Sequence, residues 1–227
     1  MSASEKTKPI PPGYAFNTGD MRRDWNARAR QCAREYILTG YGERPEEDFE
    51  AEGRAQARYF SQFVAPESRI LDLGCGVGRI ALYLAPGVRE YWGLDVSDEM
   101  LARARVRLAG LPNVRLLLGN GLDFTGVPEG ALDFIFAYLT LHHVPREALL
   151  AYLRDGRRVL AEQGRFWLQV AYRQEAAPYQ EPPDADTWMG RRYSVAELAE
   201  ICAPGYAWER HEVSRDGEFV WVLLRRA

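Results

Sequence analysis

The chain is poor in the residues that build disulfide frameworks and metal sites. Among 227 residues there are three cysteines, Cys32, Cys75 and Cys202, and three histidines. The cysteines are odd in number, far apart and contain no C-x-x-C pair, which argues against a zinc site and favours a reducing compartment. We therefore expect a cytoplasmic protein that holds no metal.

The chain also lacks an excess of positive charge and a long apolar run. The formal net charge is −3, which disfavours nucleic acid as a partner. The longest apolar stretch, residues 131–141, is interrupted by Asp133 and Thr140 and is too short to span a bilayer. The polar N-terminus contains no apolar signal segment. We expect no association with membranes.

The chain contains enough residues for one α/β domain with additions at its N-terminus. Residues 1–20 suggest a flexible arm. Helical periodicity at 22–38 and 46–64 predicts a helical cap or lid over residues 21–64. Residues 65–227 are expected to form the main domain, in which the proline-containing insertion 172–193 contributes to a substrate lid.

Strand and helix patterns alternate through the main domain. The predicted helices cover residues 78–85, 98–109 and 145–160, and a capping box at Ser194–Glu197 opens another. The predicted strands cover residues 69–73, 90–94, 113–118, 131–138, 164–171, 206–213 and 218–225. Alternation of this kind predicts a doubly wound, mostly parallel sheet with helices on both faces. Asp216-Gly217 between the last two strands predicts an antiparallel hairpin.

A glycine turn follows the first strand. Its residues are Asp72, Gly74, Gly76 and Gly78, in the order D-x-G-x-G-x-G. Glycines allow a close approach of the backbone to a ligand, and Asp95 ends the next strand, where a carboxylate can bind ribose hydroxyls. The third glycine of the dinucleotide fingerprint is replaced by Arg79, which disfavours a nicotinamide dehydrogenase. The Asp72 carboxylate would repel a pyrophosphate but suits an ammonium group.

This pattern resembles the first motif of the class I S-adenosylmethionine-dependent methyltransferases, and the resemblance extends over residues 64–225. It implies a Rossmann-like, seven-stranded sheet with an N-terminal helical cap, and S-adenosyl-L-methionine as the cofactor. In that case Asp72 and the turn residues Gly74, Cys75 and Gly76 bind the amino-acid end. Asp95 binds the ribose, and Val96 packs near the adenine.

Two later segments match the family's other motifs. After the third strand, Asn120 stands where the family often has an acid that reads the adenine amino group, and the backbone of Gly121 or Leu122 serves the adenine ring. The alternative is a plain Asn-Gly turn. Residues 131–144 resemble the family's F-D-x-I and L-H-H segments, which implies that Tyr138 lies beside the sulfonium.

The adjacent histidines after Tyr138 fall near the expected active-site rim. A histidine there could act as a general base, but packing beneath the loop is the favoured interpretation for each. His142 is the preferred catalytic candidate of the two. His211 is expected to be structural.

The residues around the cofactor leave the acceptor open. Aromatic residues that could wall an acceptor pocket are Tyr14, Trp25, Tyr36, Tyr179 and Trp188, together with Met189. The arginines of residues 22–34 could bind an anionic substrate or pair with acids of the insertion, but a solvated helix face is favoured. The predicted reaction is methyl transfer to an O, N or C nucleophile of a small molecule. The alternatives are an RNA or protein methyltransferase, or a non-catalytic S-adenosylmethionine-binding interaction module. Aminopropyl transfer is a distant option.

Overall fold

The computed structural model describes residues 19–227, so the expected flexible arm lies almost wholly outside the described residues. Within the described part of the chain, none of the helices has the length and apolar character needed to cross a membrane.

A single sheet runs through the described chain in the order β3-β2-β1-β4-β5-β8-β7. Its strands are β1 (Arg69–Leu73), β2 (Glu90–Asp95), β3 (Val114–Leu118), β4 (Leu132–Ala137), β5 (Leu160–Tyr172), β6 (Arg192–Tyr193), β7 (Tyr206–Val213) and β8 (Phe219–Arg226). Strands β1 to β5 are parallel, whereas β8 is antiparallel to β5 and β7. The doubly wound, mostly parallel sheet with a C-terminal antiparallel hairpin is confirmed.

The count of seven strands misses one short strand. Strand β6 pairs in parallel with β5, with Ala171 opposite Arg192, at the end of the insertion. Strand β6 contains only Arg192 and Tyr193, which is too short for the alternation of apolar and polar residues from which a strand is predicted. Its pairing depends on where the insertion returns to the sheet.

The described helices are α1 (Met21–Ile37), α2 (Glu46–Ser61), α3 (Ala81–Leu84), α4 (Asp98–Arg107), α5 (Arg146–Val159) and α6 (Val195–Cys202). Ser97 caps α4 by accepting a hydrogen bond from the Met100 N–H, and the capping box of Ser194 and Glu197 opens α6. Helix α3 is shorter than predicted because residues 78–80 still belong to the glycine turn and because the chain continues at Ala85 into a 3-10 turn containing Pro86.

Alternate strand residues pack into two cores, one on each side of the sheet. On β1, Ile70 belongs to one cluster and Leu71 to the other, as expected from the two-residue period of a strand. Helix α2 contributes to the first of these cores, where the ring of Phe60 stacks 4.3 Å from that of Phe136. Helix α1 packs beside α4 and therefore lies at the carboxyl edge of the parallel strands.

Candidate active site

The glycine turn is held by backbone bonds and by a close contact across the sheet edge. The N–H groups of Gly74 and Cys75 donate to the carbonyl oxygen of Leu94, at 2.7 and 3.2 Å. Gly74 and Gly78 have φ of +80° and +77°, a region that other residues rarely adopt. A Cβ on Gly74 would lie 2.2 Å from Oγ1 of Thr140. The turn therefore requires glycine at residue 74, both for its backbone conformation and for the contact with Thr140.

Asp95 links this turn to the start of α4. One carboxylate oxygen accepts a hydrogen bond from the Gly76 N–H and the other from the Ser97 N–H, each at 2.8 Å. Burial raises the pKa of Asp95 to about 6, and the backbone donors oppose that rise by stabilising the charged form. Two neutral backbone donors thus fix the Asp95 carboxylate at the end of β2.

Asp72 lies in the same buried region. The hydroxyl of Tyr91 donates to it at 2.7 Å. Burial raises the pKa of Asp72 to about 7, a rise that Tyr91 and Arg79 oppose and that Asp95 increases. A buried carboxyl without a direct cationic hydrogen-bond donor is poised to gain from an added ammonium group.

A largely apolar pocket lies between the glycine turn and α1. Its polar end is formed by Asp72, the glycine turn, Arg79 and Asp95. Its remaining wall is mostly apolar or aromatic and is lined by Met21, Trp25, Tyr36, Ile37, Leu73, Ile80, Leu94, Val96, Met100, Gly121, Tyr138, Leu139, Thr140, His143, Val144 and Tyr152. Pockets of this kind, apolar with a few convergent polar groups, are typical of small-molecule sites.

Most of the residues predicted for the site line this pocket. They are Asp72, Gly74, Cys75, Gly76, Asp95, Val96, Gly121 and Tyr138. Asn120 and Leu122 are not among the lining residues. The amide oxygen of Asn120 accepts from the N–H groups of Leu122 and Asp123, at 2.8 and 3.0 Å. This geometry is the plain Asn turn that the sequence left open, in which the oxygen is already used by the backbone.

The structure separates the two adjacent histidines. His142 is buried outside the pocket lining, where its ring packs 5.5 Å from that of Phe219. Burial lowers the pKa of His142 well below its usual range. His143 lines the pocket instead. The geometry therefore does not support the preference for His142 over His143 as the catalytic candidate, because His142 packs outside the pocket lining.

Several lining residues carry no sequence motif. Met21 and Trp25 are four residues apart on one face of α1, and Met100 lies on the first turn of α4. Their helical spacing marks an apolar face but does not distinguish a pocket wall from a core. Arg79 is visible in the sequence only as a departure from the dinucleotide fingerprint. It is 4% exposed and donates a short hydrogen bond to Gln56.

Helix α1 is attached to the loops beside the pocket. Arg22 donates to the carbonyl oxygens of Val96 and Gly119, at 3.2 and 2.9 Å. The amide oxygen of Asn26 accepts from the Ser97 hydroxyl at 2.6 Å. These bonds hold the helix over the carboxyl ends of β2 and β3.

The favoured interpretation of the α1 arginines as a solvated face is wrong for Arg28. Its side chain is 2% exposed, and it donates to the hydroxyl and carbonyl oxygens of Thr187, at 3.0 and 3.1 Å. Helix α1 and the insertion are therefore joined by a buried contact, which residue type alone could not show.

Fold and pocket together define an α/β protein with a site of the kind that binds nucleoside cofactors, and the comparisons with known proteins show what the chain is similar to. The family model described as a methyltransferase domain matches residues 70–164. The chain is 34% identical over 113 residues to an uncharacterized methyltransferase, YcgJ, of Bacillus subtilis, covering 48% of this chain and 43% of that protein. Residues 70–164 therefore match a methyltransferase domain, and the chain is similar in sequence and in fold to S-adenosylmethionine-dependent methyltransferases.

Two further comparisons extend this result. The chain is 34% identical over 163 residues to the S-adenosyl-L-methionine-dependent Diels-Alderase iccD of Talaromyces variabilis, covering 69% of this chain and 51% of that protein. The chain thus spans about half the length of the curated relatives it matches. A crystal structure of an S-adenosylmethionine-dependent methyltransferase from Aquifex aeolicus shares the fold, with a TM-score of 0.64 at 20% identity over 89% of this chain and 98% of that one.

Proposed function

We propose that this protein transfers a methyl group from S-adenosylmethionine to a small-molecule acceptor. The observation that carries the proposal is the single pocket in which Asp72, the glycine turn and Asp95 form a polar end and aromatic side chains form the rest. A nucleoside with an amino-acid tail suits the polar end, and the apolar remainder suits an uncharged organic acceptor.

The residues present fit this cofactor. Gly74 and Gly76 offer backbone without a Cβ, Asp95 offers a fixed carboxylate for ribose hydroxyls, and Asp72 offers a buried carboxylate for the ammonium group. We assign Val96, Met100 and Gly121 to the adenine, since they line the adjoining wall. We do not assign the Asn120 amide to the adenine amino group, because its oxygen is used within the turn.

When bound, the cofactor supplies a methyl group that is already electrophilic. The protein's own contribution is therefore alignment of the acceptor and exclusion of water. Tyr138 and Thr140 line the pocket beside the glycine turn, and Leu139 between them has φ +56°, held by a bond from its N–H to the amide oxygen of Gln169. A non-glycine residue at positive φ beside a pocket supports a positioned, functional turn.

Closure of the pocket by α1 supports a small acceptor over RNA or protein. We propose that residues 21–64 act as a cap and that the insertion 172–193 completes the acceptor end. The bonds of Arg22 and Asn26 to the core and of Arg28 to Thr187 support this arrangement. An RNA or protein acceptor would require an open, basic face.

A second candidate is a cyclisation that uses the same cofactor without methyl transfer. It is favoured by one observation, the 34% identity to a protein named as an S-adenosyl-L-methionine-dependent Diels-Alderase over 69% of this chain. A closed aromatic pocket would suit the folding of a flexible apolar substrate as well as methylation.

The test begins with calorimetric titration of the protein with S-adenosylmethionine, S-adenosylhomocysteine and NAD. We expect micromolar binding of the two sulfur nucleosides and none of NAD. Asp95→Ala should weaken that binding by about a hundredfold, as expected for the loss of a charged hydrogen-bonding group. Absence of binding to either sulfur nucleoside would overturn the proposal. Binding followed by transfer of a labelled methyl group to an acceptor panel separates methylation from the cyclase alternative.

A further inference from the structure

The orientation of the His143 ring is fixed by the insertion. Its Nδ1 lies 2.8 Å from the carbonyl oxygen of Trp188. A carbonyl oxygen can only accept, so Nδ1 carries the ring proton and Nε2 of the neutral ring has the free lone pair. Among residues 19–227, no side chain or backbone group hydrogen-bonds to Nε2. Because His143 lines the pocket, this acceptor nitrogen is available to a ligand.

The charges around His143 keep the ring neutral. Burial, together with the nearby Arg28 and Arg191 guanidinium groups, lowers its pKa to about 3, and the hydrogen bond to the Trp188 carbonyl oxygen opposes this fall. Burial lowers the pKa of Arg28 to about 10, and the carboxylates of Asp24 and Asp186 oppose this fall. Glu181 and Asp184 lie 3.8 and 3.9 Å from the Arg191 guanidinium, but the charges that act on the His143 ring itself are those of Arg28 and Arg191. This end of the pocket therefore disfavours an acceptor that carries an ammonium group.

The side chains around His143 are mainly aromatic rings. The Trp25 ring lies 5.2 Å from that of His143, and the Trp188 ring stacks on His143 at 5.4 Å. Tyr36 packs edge-on against Trp188 at 5.3 Å. Trp25 and Tyr36 also line the pocket. Flat aromatic walls favour a planar ligand that stacks or packs edge-to-face.

His143 is also close in the chain to Thr140, the residue that contacts the glycine turn. Its N–H donates to the carbonyl oxygen of Thr140 at 3.0 Å, and the Thr140 side chain packs directly on Gly74. One tight turn therefore joins the glycine loop, where the cofactor is proposed to bind, to the free imidazole nitrogen.

We propose that His143 is a catalytic residue and that the acceptor is an uncharged, planar molecule with a phenol or enol hydroxyl donated to Nε2. This inference rests on the proposed methyl transfer and names its acceptor class. The hydroxyl oxygen forms a bond to the methyl carbon while the carbon–sulfur bond breaks and its electron pair stays on sulfur. The hydroxyl proton moves to Nε2 and is then released to solvent.

The low basicity of His143 is compatible with this role. During transfer the oxygen becomes that of a protonated ether, a far stronger acid than imidazolium, so a weak base suffices to accept the proton. An ammonium acceptor would first have to lose its proton to such a base, which would be unfavourable.

The first test is a long-range proton–nitrogen NMR correlation of the imidazole rings, which is tractable because the chain has three histidines. We expect the His143 ring in the Nδ1–H form and neutral at about pH 6, below the usual histidine pKa. His211, on the exposed part of β7, lies outside the pocket and serves as an internal reference for the resonances. A protonated His143 or the opposite tautomer would overturn the proposal.

The second test adds probes of matched shape to protein saturated with S-adenosylhomocysteine. We expect 4-methylphenol, which is uncharged at neutral pH, to shift the Nε2 resonance of His143 and to bind about tenfold more tightly than 4-methylanisole, which lacks the donor. We expect 4-methylbenzylammonium to bind more weakly than both. Equal binding of phenol and anisole, or preference for the ammonium, would contradict the proposed acceptor class.

Variants distinguish the role of His143 from the binding of the cofactor. His143→Phe keeps an aromatic ring but removes the acceptor, so it should lose the preference for phenol over anisole while S-adenosylhomocysteine binds as before. His143→Gln returns an acceptor oxygen and should restore part of the preference, and His211→Phe is the matched control. If S-adenosylhomocysteine itself fails to bind the wild-type protein, the proposed function fails and this inference with it. If it binds and the probes do not discriminate, only this inference fails.

Discussion

Gly74 and Thr140 make a contact that leaves no room for a side chain on residue 74. A Cβ there would lie 2.2 Å from Thr140 Oγ1 and 2.4 Å from Cγ2, and the backbone of Gly74 has φ +80°. Gly74→Ala should therefore lower the free energy of unfolding by at least about 2 kcal/mol, from backbone strain and the clash together. Thermal and urea unfolding measure this loss, and calorimetry should show loss of S-adenosylhomocysteine binding.

The matched control is Gly110→Ala, because a Cβ on Gly110 would meet no atom within 4 Å. This control should change stability by no more than about 0.5 kcal/mol. Thr140→Ala introduced with Gly74→Ala should recover part of the loss by removing Oγ1 and Cγ2. An equal effect of the two glycine substitutions would contradict the packing argument.

Cofactor affinity should depend on pH through two buried carboxyls. The pKa of Asp72 is raised to about 7 and that of Asp95 to about 6, chiefly by burial. Both are proposed to bind the cofactor as carboxylates. At a pH below its pKa, each carboxyl group must lose a proton before the cofactor can bind, and this requirement weakens binding. Affinity for S-adenosylhomocysteine should fall by at least about tenfold from pH 7.5 to pH 5. Calorimetry across this range checks the slope, and Asp72→Asn should flatten its upper part.

The same shifts predict the opposite trend for the ligand-free protein. A carboxyl whose pKa is higher in the folded state binds its proton more tightly there, so it stabilises the fold at low pH. That contribution is complete below about pH 4 and is lost as the pH rises through about 7. Asp72→Asn removes this titration, so the variant should gain in melting temperature relative to wild type on going from pH 5 to pH 8. A constant difference between the two proteins would show that Asp72 is not perturbed.

The proposed cofactor half of the site was predictable because its requirements are local in the sequence. The glycines of the turn need positive φ, and Asp95 ends the strand next to β1, so spacing along the chain fixes their meeting at one sheet edge. The same alternation predicted the doubly wound, mostly parallel sheet with its antiparallel C-terminal pair, which is confirmed. The sequence missed the two-residue β6, the early start of β5 at Leu160 and the exact ends of the helices, since these depend on tertiary pairing and fraying.

The proposed acceptor half of the site could not be predicted from the sequence, and the reason is physical. His142 and His143 are adjacent residues of the same type, so the sequence does not show which of them lines the pocket. That outcome depends on the 3-10 turn at 141–143 and on the carbonyl oxygen of Trp188 in the insertion. The Asn120 side chain was assigned by analogy to an acid, but an Asn beside glycine closes its own turn first. Contacts made by residues distant in sequence decide these roles.

Because α1 is proposed to cap the pocket, the bonds that attach it to the core should slow the release of the cofactor. Asn26 accepts from the Ser97 hydroxyl at 2.6 Å and donates to Asp98 at 2.7 Å, which ties the helix to the start of α4. Asn26→Ala should speed dissociation of S-adenosylhomocysteine by about tenfold, the effect of losing one or two hydrogen bonds. Stopped-flow displacement measures the rate. Arg23→Ala on the exposed face of the same helix is the control, and equal rates in the two variants would argue against α1 as a cap.

Arg191 should be the strongest single link between the insertion and the site. Its side chain is fully buried, and its guanidinium donates to the carbonyl oxygens of His143, Pro183 and Asp186, at 3.1 to 3.3 Å. Arg191→Met would leave these buried acceptors without their donor, so we expect a loss of about 3 kcal/mol in the free energy of unfolding.

The loss at Arg191 should also reach the pocket. Without the bond to the His143 carbonyl, the turn at 141–143 loses its anchor, and the Nδ1–H signal of His143 should broaden or shift in the NMR correlation. Arg103→Met, on the exposed face of α4, should change stability by no more than about 0.5 kcal/mol and leave that signal unchanged. Arg191→Lys keeps the charge but not the planar fork of donors, so it should recover only a small part of the loss. Full recovery with lysine would mean that charge alone, rather than the bonds to three carbonyl oxygens, holds the insertion in place.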